Sequence, residues 1–305
     1  MRKQLFIQLF APTSAHDSEE ASGEAAMAVP ASWVLRDDDR PAGSLFHGNL
    51  AEAAAQAVGA RVSVLVPGAD VLLAQVELPA MKAQRLAKAV PYALEEQLAE
   101  DVDALHVAIG EQDKQGRVSN AVVSRTRLEA WLEQLKAVGL HADVMTPEMF
   151  GVHWEQDDAA EQGRWSMMIE GQRGLLRTGA QTGLAFEMDN LSSVLKASFD
   201  DAGDNLPAAL RVIVCDDDGS GSDSDSGFET SDAYRSLAEM CAAQNIDLSL
   251  DVRDETRSVT LAQSFDEQHA INLLQGDYSR KQQFEKILRP WRPAIILLGL
   301  WLVMQ

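Results

Sequence analysis

The chain has 305 residues, 46% of them apolar, enough for two domains or one bilobal body with real cores. A formal net charge of −21 and a pI near 4.6 argue against nucleic acid as a partner, because phosphate binding needs clustered Lys and Arg, and an anionic membrane surface would repel most of the chain. A basic partner surface, or solubility alone, accounts for such a charge.

Leu5, Ile7 and Leu9 alternate with Phe6 and Phe10, the pattern of a strand buried on both faces. The early Pro12 and the lack of a small-residue cleavage site argue for a first strand over a signal peptide. Residues 13–27, rich in Ser, Glu, Ala and Gly, are expected to form a flexible loop. Short strands follow over 33–36 and 44–47. Asn49 is placed to cap a helix over 50–58 closed by Gly59, and 61–66 is an apolar strand stopped by Pro67 and Gly68. Residues 71–78 add another strand.

In the next stretch Leu86, Val90, Leu94 and Leu98 recur every fourth position, one stripe of a helix facing a core. Pro91 must kink this helix or restart it. Lys82, Arg85 and Lys88 precede the proline, while Glu95, Glu96, Glu100 and Asp101 follow it. One continuous dipole would be opposed at both ends, so the charges favour a restart. Residues 103–145 then read as a compact unit of strand 103–109, strand 117–124, a helix and strand 142–145. In its helix Thr126 and Glu129 have capping-box spacing, Leu128, Trp131, Leu132, Leu135 and Val138 share a face, and Gly139 ends it.

Beyond Pro147 the order of the first part returns. Strands over 165–170, 174–178 and 183–187, a helix over 191–199, a strand over 210–215, a helix over 233–243 and a strand over 246–252 repeat the succession strand, strand, strand, helix, strand, helix, strand, roughly 160 residues on. Residues 255–268 read as a polar linker. Arg280, Lys281, Lys286, Arg289 and Arg292 then gather before an apolar run over 293–304 of about a dozen residues, where a bilayer span needs ~20. It is either a truncated transmembrane helix or a short buried terminal helix. The cationic flank and Trp291 match the cytoplasmic end of a span, which favours truncation.

Two strings, PYALEEQLAEDVDALH from Pro91 and INLLQGDYSRKQQFEKILRPWRP from Ile271, resemble the L-protein family (GspL) of the bacterial type II secretion system. The resemblance implies an α/β, actin-like (ribonuclease-H-like) bilobal fold, the plan to which the doubled βββαβαβ succession also points. The expected organisation is a first lobe over 1–102, a small inserted α+β subdomain over 103–146, a second lobe over 147–254, a juxtamembrane linker over 255–292 and the start of a transmembrane helix over 293–305. It further implies an inner-membrane platform scaffold with residues 1–292 in the cytoplasm. Its partners would be the N-terminal domain of the secretion ATPase, the platform protein M and other inner-membrane platform proteins, and the membrane through the C-terminal helix. A homodimer is left open. The assembly scaffold of a type IV pilus is a further alternative of similar fold, although such proteins lack this C-terminal span.

An actin-like lobe that hydrolyses ATP needs an acid and glycines in the turn after its first strand. The turn over 9–13 (Leu-Phe-Ala-Pro-Thr) has neither. The turn Glu170-Gly171-Gln172-Arg173-Gly174 offers both, but it reads as a hairpin with Glu170 as a solvated strand end. No Walker, GxSxG or HExxH motif occurs. Cys215 and Cys241 have no metal or disulfide spacing and read as buried thiols, and His106, His141 and His153 lack ligand spacing. The acidic run 216–232 fits no EF-hand register and reads as a disordered insertion, with calcium a remote alternative. No catalytic residue, cofactor or metal is therefore expected, the alternative being an actin-like ATPase or nucleotide-binding protein that uses the interlobe cleft. The acids Glu95, Glu96, Glu100, Asp101 and Asp103 are the candidate partner-binding residues, an electrostatic face for a basic surface. The competing reading is a solvated helix face with no partner.

Overall fold

The computed structural model of the chain describes residues 3–10, 29–37, 40–155, 163–216 and 228–279. The first sheet contains β1 (Lys3–Leu9), β2 (Pro30–Asp37), β3 (Arg40–Asn49), β4 (Ala60–Val66) and β8 (Val144–Pro147), in the order β3-β2-β1-β4-β8. The second contains β9 (Arg164–Glu170), β10 (Arg173–Arg177), β11 (Gly183–Glu187), β12 (Ala209–Asp216) and β13 (Asp247–Thr256), in the order β11-β10-β9-β12-β13. In each sheet three strands form an antiparallel meander and two more add in parallel beside the first. The doubled succession in the sequence is thus a doubled topology. Its parallel strands follow crossover helices: α1 (Leu50–Gln56) before β4, α3 (Arg125–Ala137) before β8, α4 (Leu191–Ala202) before β12 and α5 (Asp232–Ala243) before β13.

Among the described residues, the first copy carries an inserted unit. Between β4 and α3 the chain makes β5 (Leu72–Glu77), α2 (Ala83–Leu94), β6 (Leu105–Gln112) and β7 (Arg117–Ser124), and these strands form a separate antiparallel sheet, β5-β7-β6. Here the pairing differs from the expected division at residue 103. The strand over 71–78 joins the small sheet, from Leu72 opposite Val122 to Glu77 opposite Arg117, while the strand expected to close the small unit, β8, pairs with β4 in the first sheet. Burial explains the exchange. All four residues of β8 are buried, as a strand in the parallel part of a covered sheet requires, whereas β5 is largely half-exposed.

The helix α2 runs through Pro91 without restarting. Its stripe of Leu86, Val90 and Leu94 stays in register and packs on Val76, Leu105, Val118 and Val122. Burying three such side chains is worth roughly 2 kcal/mol apiece, which exceeds the ~3 kcal/mol cost of an interior proline. The helix ends at Leu94. Glu95–Gln97 is a 3₁₀ turn, so the acids expected on a second helix lie instead on this turn and the irregular chain up to a further 3₁₀ turn, Val102–Ala104.

Asn49 caps α1 as its position predicts, its side chain accepting the Glu52 N–H at 3.0 Å. The capping box expected in α3 does not form. The N-cap is Ser124, and Glu129 instead accepts the Tyr278 hydroxyl at 2.8 Å. Gly139, at φ 74°, ends that helix region in the left-handed conformation that favours glycine.

The largest correction falls on the expected polar linker. Glu255 and Thr256 still belong to β13, and α6 (Arg257–Ser264) follows at once, with every residue from Arg257 to Ala262 buried. The helix contacts β2 and β3 on one side and β12 and β13 on the other. One continuous core therefore includes Leu5, Trp33, Met168, Ile213, Val259 and Leu261, while Met167, Ile169 and Val212 form a second core under α4 and α5. Beyond α6, residues 271–279 run as a strap across β8 and the small sheet. Leu273 donates its N–H to Met145 O at 2.7 Å, and Gln275 exchanges hydrogen bonds with the backbone of Ile109.

Candidate functional site

The junction between the two large sheets is a ring of buried polar groups around the start of α6. Arg257 is 4% exposed. Its Nη2 lies 2.6 Å from Glu148 Oε1 and its Nη1 3.6 Å from Glu170 Oε2, while its backbone N–H donates to Glu170 Oε1 at 3.3 Å. Thr256, the N-cap, supplies no side-chain bond, so Glu170 is the carboxylate at this helix N-terminus. Glu148 also accepts the Gly68 N–H at 2.9 Å and the Gln8 side-chain amide at 3.1 Å. Gln8 in turn accepts the Ser258 hydroxyl at 2.6 Å. The ring ties β1, the turn after β4, the turn after β8, the end of β9 and α6. Glu170 is thus a member of an ion-pair network and not the solvated strand end that its turn suggested.

Backbone approach at this junction is close. A Cβ on Gly68 would stand 2.4 Å from Met149 Sδ and 2.9 Å from Ala185 Cβ, so the loop after β4 can lie against the second sheet only as glycine. Beside the ring opens a cavity of about 580 Å³ lined by Pro67, Ala69, Arg173, Phe186, Ser193 and Arg257, among others. The turn after β9 is a hairpin, as expected, with Glu170 opposite Arg173 and Gly171 at φ 53°. Of the turn after β1, Leu9 and Phe10 are described and residues 11–13 lie outside the described residues.

All five candidate acids, Glu95, Glu96, Glu100, Asp101 and Asp103, are exposed, along one continuous segment. Asp101 caps the second 3₁₀ turn by accepting the Asp103 N–H at 3.0 Å. Among the described residues none of the five forms an ion pair with Lys, Arg or His. Beside them on α2 stands Tyr92, 76% exposed. Sequence reading did not single it out, although its place off the Leu86, Val90 and Leu94 stripe was the available signal.

The remaining candidates settle into structure. His106 is buried, its Nε2 2.7 Å from the Leu273 carbonyl oxygen and its ring edge-on to Tyr278, and burial lowers its pKa. His141 is exposed, and His153 pairs with Glu155 at 3.0 Å. Cys215 and Cys241 are buried free thiols whose pKa values burial pushes up to about 11. Among the described residues no cluster of three or more His, Cys, Asp or Glu is placed to hold a metal. Of the acidic run, residues 217–227 lie outside the described residues, as do residues 11–28 of the N-terminal loop, the cations from Arg280 onward and the apolar run 293–304. Among the described residues no helix is long and apolar enough to cross a membrane.

Comparison with known proteins bears on most of the chain. The profile of the family described as type II secretion system (T2SS), protein L, matches residues 38–281. The chain is 27% identical over 242 residues to the type II secretion system protein L of Dickeya chrysanthemi, covering 79% of this chain and 50% of that protein. It is likewise 27% identical over 285 residues to the protein of that name from Pseudomonas aeruginosa, covering 93% and 60%. The chain thus spans about half the length of the curated relatives it matches. Among solved structures, the cytoplasmic domain of EpsL, an inner-membrane component of the type II secretion system of Vibrio cholerae, superposes with a TM-score of 0.61 at 18% identity, over 91% of this chain and 100% of that one. That likeness carries the fold. With the profile match extending from the β2–β3 hairpin past the 271–279 strap, the chain belongs to the type II secretion system protein L family.

Proposed function

We propose that the chain is a non-enzymatic scaffold of the inner-membrane platform of a type II secretion system, with an actin-like body in the cytoplasm. It recruits the N-terminal domain of the cytoplasmic secretion ATPase and, through the apolar segment over 293–304, the membrane and the platform protein M, couples that motor to pseudopilus assembly. The observation that carries this reading is the Arg257 clamp. In an actin-like motor the two lobes move about a cleft that opens and closes on nucleotide. Here the chain's own helix α6 stands between the sheets, and its first residue is held by carboxylates from elements flanking both of them. Such a body suits a rigid docking platform better than a cycling enzyme. The acids over 95–103 support docking of a basic partner surface, since they are exposed and form no ion pair among the described residues.

A second reading, nucleotide binding between the lobes, is favoured by the cavity of about 580 Å³ beside the clamp. Isothermal titration decides between them. The scaffold reading expects heat from the isolated N-terminal domain of the cognate ATPase and none from Mg-ATP. It further expects that reversing Glu95, Glu96 and Glu100 to Lys weakens the protein complex at least about tenfold and flattens its salt dependence. Saturable binding of Mg-ATP would overturn it, and unchanged docking by the folded triple variant would remove these acids from the interface.

A further inference from the structure

The Arg257 guanidinium is only partly satisfied. Its Nη2 faces Glu148 and its Nη1 faces Glu170, but its Nε, buried with the rest of the side chain, has no hydrogen-bond partner among the described residues. A buried donor without an acceptor is costly, and native structures leave few of them. The same residue lines the cavity of about 580 Å³, which is the open space beside it. Other groups around that cavity are free as well. Arg173 begins β10 and Glu187 ends β11, directly opposite each other in the antiparallel ladder and on one face of the sheet, with Cβ atoms roughly 5 Å apart. Both are exposed, and among the described residues neither forms an ion pair, even with the other. Asn190 and Ser193 bring the start of α4 to the cavity. The Asn190 side chain makes no cap bond and the first turn has no acid, so the positive end of this 12-residue helix opens there. The rest of the wall is apolar. A Cβ on Gly174 would stand 2.2 Å from Phe186 Cζ, so the ring lies against the glycine backbone of β10, with Val194 beside it on the cavity wall.

We propose that this cavity binds a free α-amino acid with an apolar side chain. Its carboxylate is received by Arg173, Ser193 and the Arg257 Nε at the start of α4, its ammonium by Glu187, and its side chain by Phe186 and Val194. An α-amino acid carries two opposite charges on neighbouring groups, which matches two free side chains of opposite sign at one cross-strand position. A polyphosphate does not match, because Glu148 and Glu187 line the same cavity and oppose its charge. The volume is that of a small-molecule site and leaves room for water beside the ligand. Pro67 and Ala69, from the loop after β4, line the opposite side, so the bound amino acid touches elements of both large sheets and stiffens their junction. The inference rests on the cavity alone. Its failure leaves the docking reading untouched, and failure of that reading leaves the cavity as it is.

Isothermal titration of the 305-residue chain, held in solution by an uncharged detergent, with L-phenylalanine and L-leucine tests the site. Saturable binding with a sub-millimolar Kd is expected, together with a thermal midpoint that rises with ligand concentration. N-acetyl-L-phenylalanine lacks the ammonium and L-phenylalaninamide lacks the carboxylate, and each should bind at least about tenfold more weakly. Arg173→Gln and Glu187→Gln each remove one exposed charge and disturb no buried group. Each should weaken L-phenylalanine at least about tenfold. Glu187→Gln should also lose the preference over the N-acetyl compound, and Arg173→Gln the preference over the amide, which assigns each end of the ligand to its residue. The analogues decide the matter even if a variant fails to fold. No heat from either amino acid at roughly 10 mM, analogues that bind as well as L-phenylalanine, or a folded variant with unchanged affinity would each overturn the proposal.

Discussion

Arg257 Nη2 and Glu148 Oε1 meet at 2.6 Å in a site where both side chains are almost wholly buried, joining the first residue of α6 to the turn that follows β8. Removing one partner of such a pair strands a charge away from water and costs about 3–5 kcal/mol. Arg257→Leu should therefore lower the thermal midpoint sharply, and Glu148→Leu should do the same. The double variant should recover part of the loss, since two apolar groups leave no buried charge between them. Calorimetry of the three variants measures this coupling. Additive losses would mean that the two residues act independently and that the sheets are held by other contacts.

His106 sets a pH dependence whose direction follows from its burial. Its folded pKa lies below the ordinary 6.5, because burial disfavours the charged ring more than the Leu273 carbonyl favours it. The unfolded chain therefore takes up a proton more readily than the folded one, so stability is complete above about pH 6.5 and falls as the pH drops below it. Thermal midpoints measured from pH 7.5 downward should decline for the unaltered chain more than for His106→Gln, which keeps a donor toward the Leu273 carbonyl but does not titrate. The carboxylates with lowered pKa values, Asp113, Glu155, Asp251 and Asp266, contribute losses only at more acidic pH. Equal slopes for the two proteins in the upper window would show that His106 does not set this pH dependence.

What was legible in the sequence was what depends on neighbours in the chain. Asn49 reads as a cap because its acceptor serves an N–H three residues on, and the Glu170–Arg173 turn reads as a hairpin because its glycine supplies the positive φ. Pairings between distant segments were not legible. Leu72 opposite Val122 and Ser63 opposite Val144 are choices between partners that local pattern cannot rank. The helix α6 was missed for a related reason. Its sequence RSVTLAQS is polar by composition and becomes buried only because Gln8, Glu148 and Glu170, all remote in the chain, satisfy Arg257 and Ser258. At the surface the reverse held. The five acids were expected to be exposed and are, whereas Tyr92 went unnoticed because an isolated aromatic in a helix ordinarily faces inward.

The strap over 271–279 is held by polar contacts that can be removed one at a time. Tyr278 donates its hydroxyl to Glu129 at 2.8 Å, and Asn272 Oδ1 accepts the Met145 N–H at 3.1 Å. Tyr278→Phe should cost about 1 kcal/mol, the net worth of one such hydrogen bond. Asn272→Ala should cost more, about 1–3 kcal/mol, because it leaves the Met145 N–H at β8 without its acceptor. Hydrogen exchange at Met145 and Leu273 checks the difference: both amides should exchange faster in Asn272→Ala and little faster in Tyr278→Phe.

Arg177 presents a contrasting case to Arg257, a buried guanidinium whose hydrogen bonds go to carbonyls and not to carboxylates. It is 1% exposed, and its donors reach the carbonyl oxygens of Phe150 at 3.2 Å, Val152 at 2.7 Å, Gly179 at 3.2 Å and Ala180 at 2.8 Å, with its carbon 5.5 Å from the centre of the Phe150 ring. Burial pushes its pKa down to about 10 against the opposing influence of the Asp266 carboxylate, which still leaves it charged at neutral pH. Two of the acceptors belong to the segment that leaves the first sheet and two to the turn after β10, so the side chain pins the crossover between the sheets. A lysine cannot reproduce the planar fork of donors. Arg177→Lys should therefore destabilise the chain by roughly 2–4 kcal/mol, since several buried carbonyls lose their donor at about 1–3 kcal/mol each before relaxation. Arg177→Met should cost about as much despite its apolar fit, because it supplies no donor at all. If denaturant unfolding found Arg177→Met as stable as the unaltered chain, the carbonyls would have to be satisfied in some other way and the crossover would not depend on this residue.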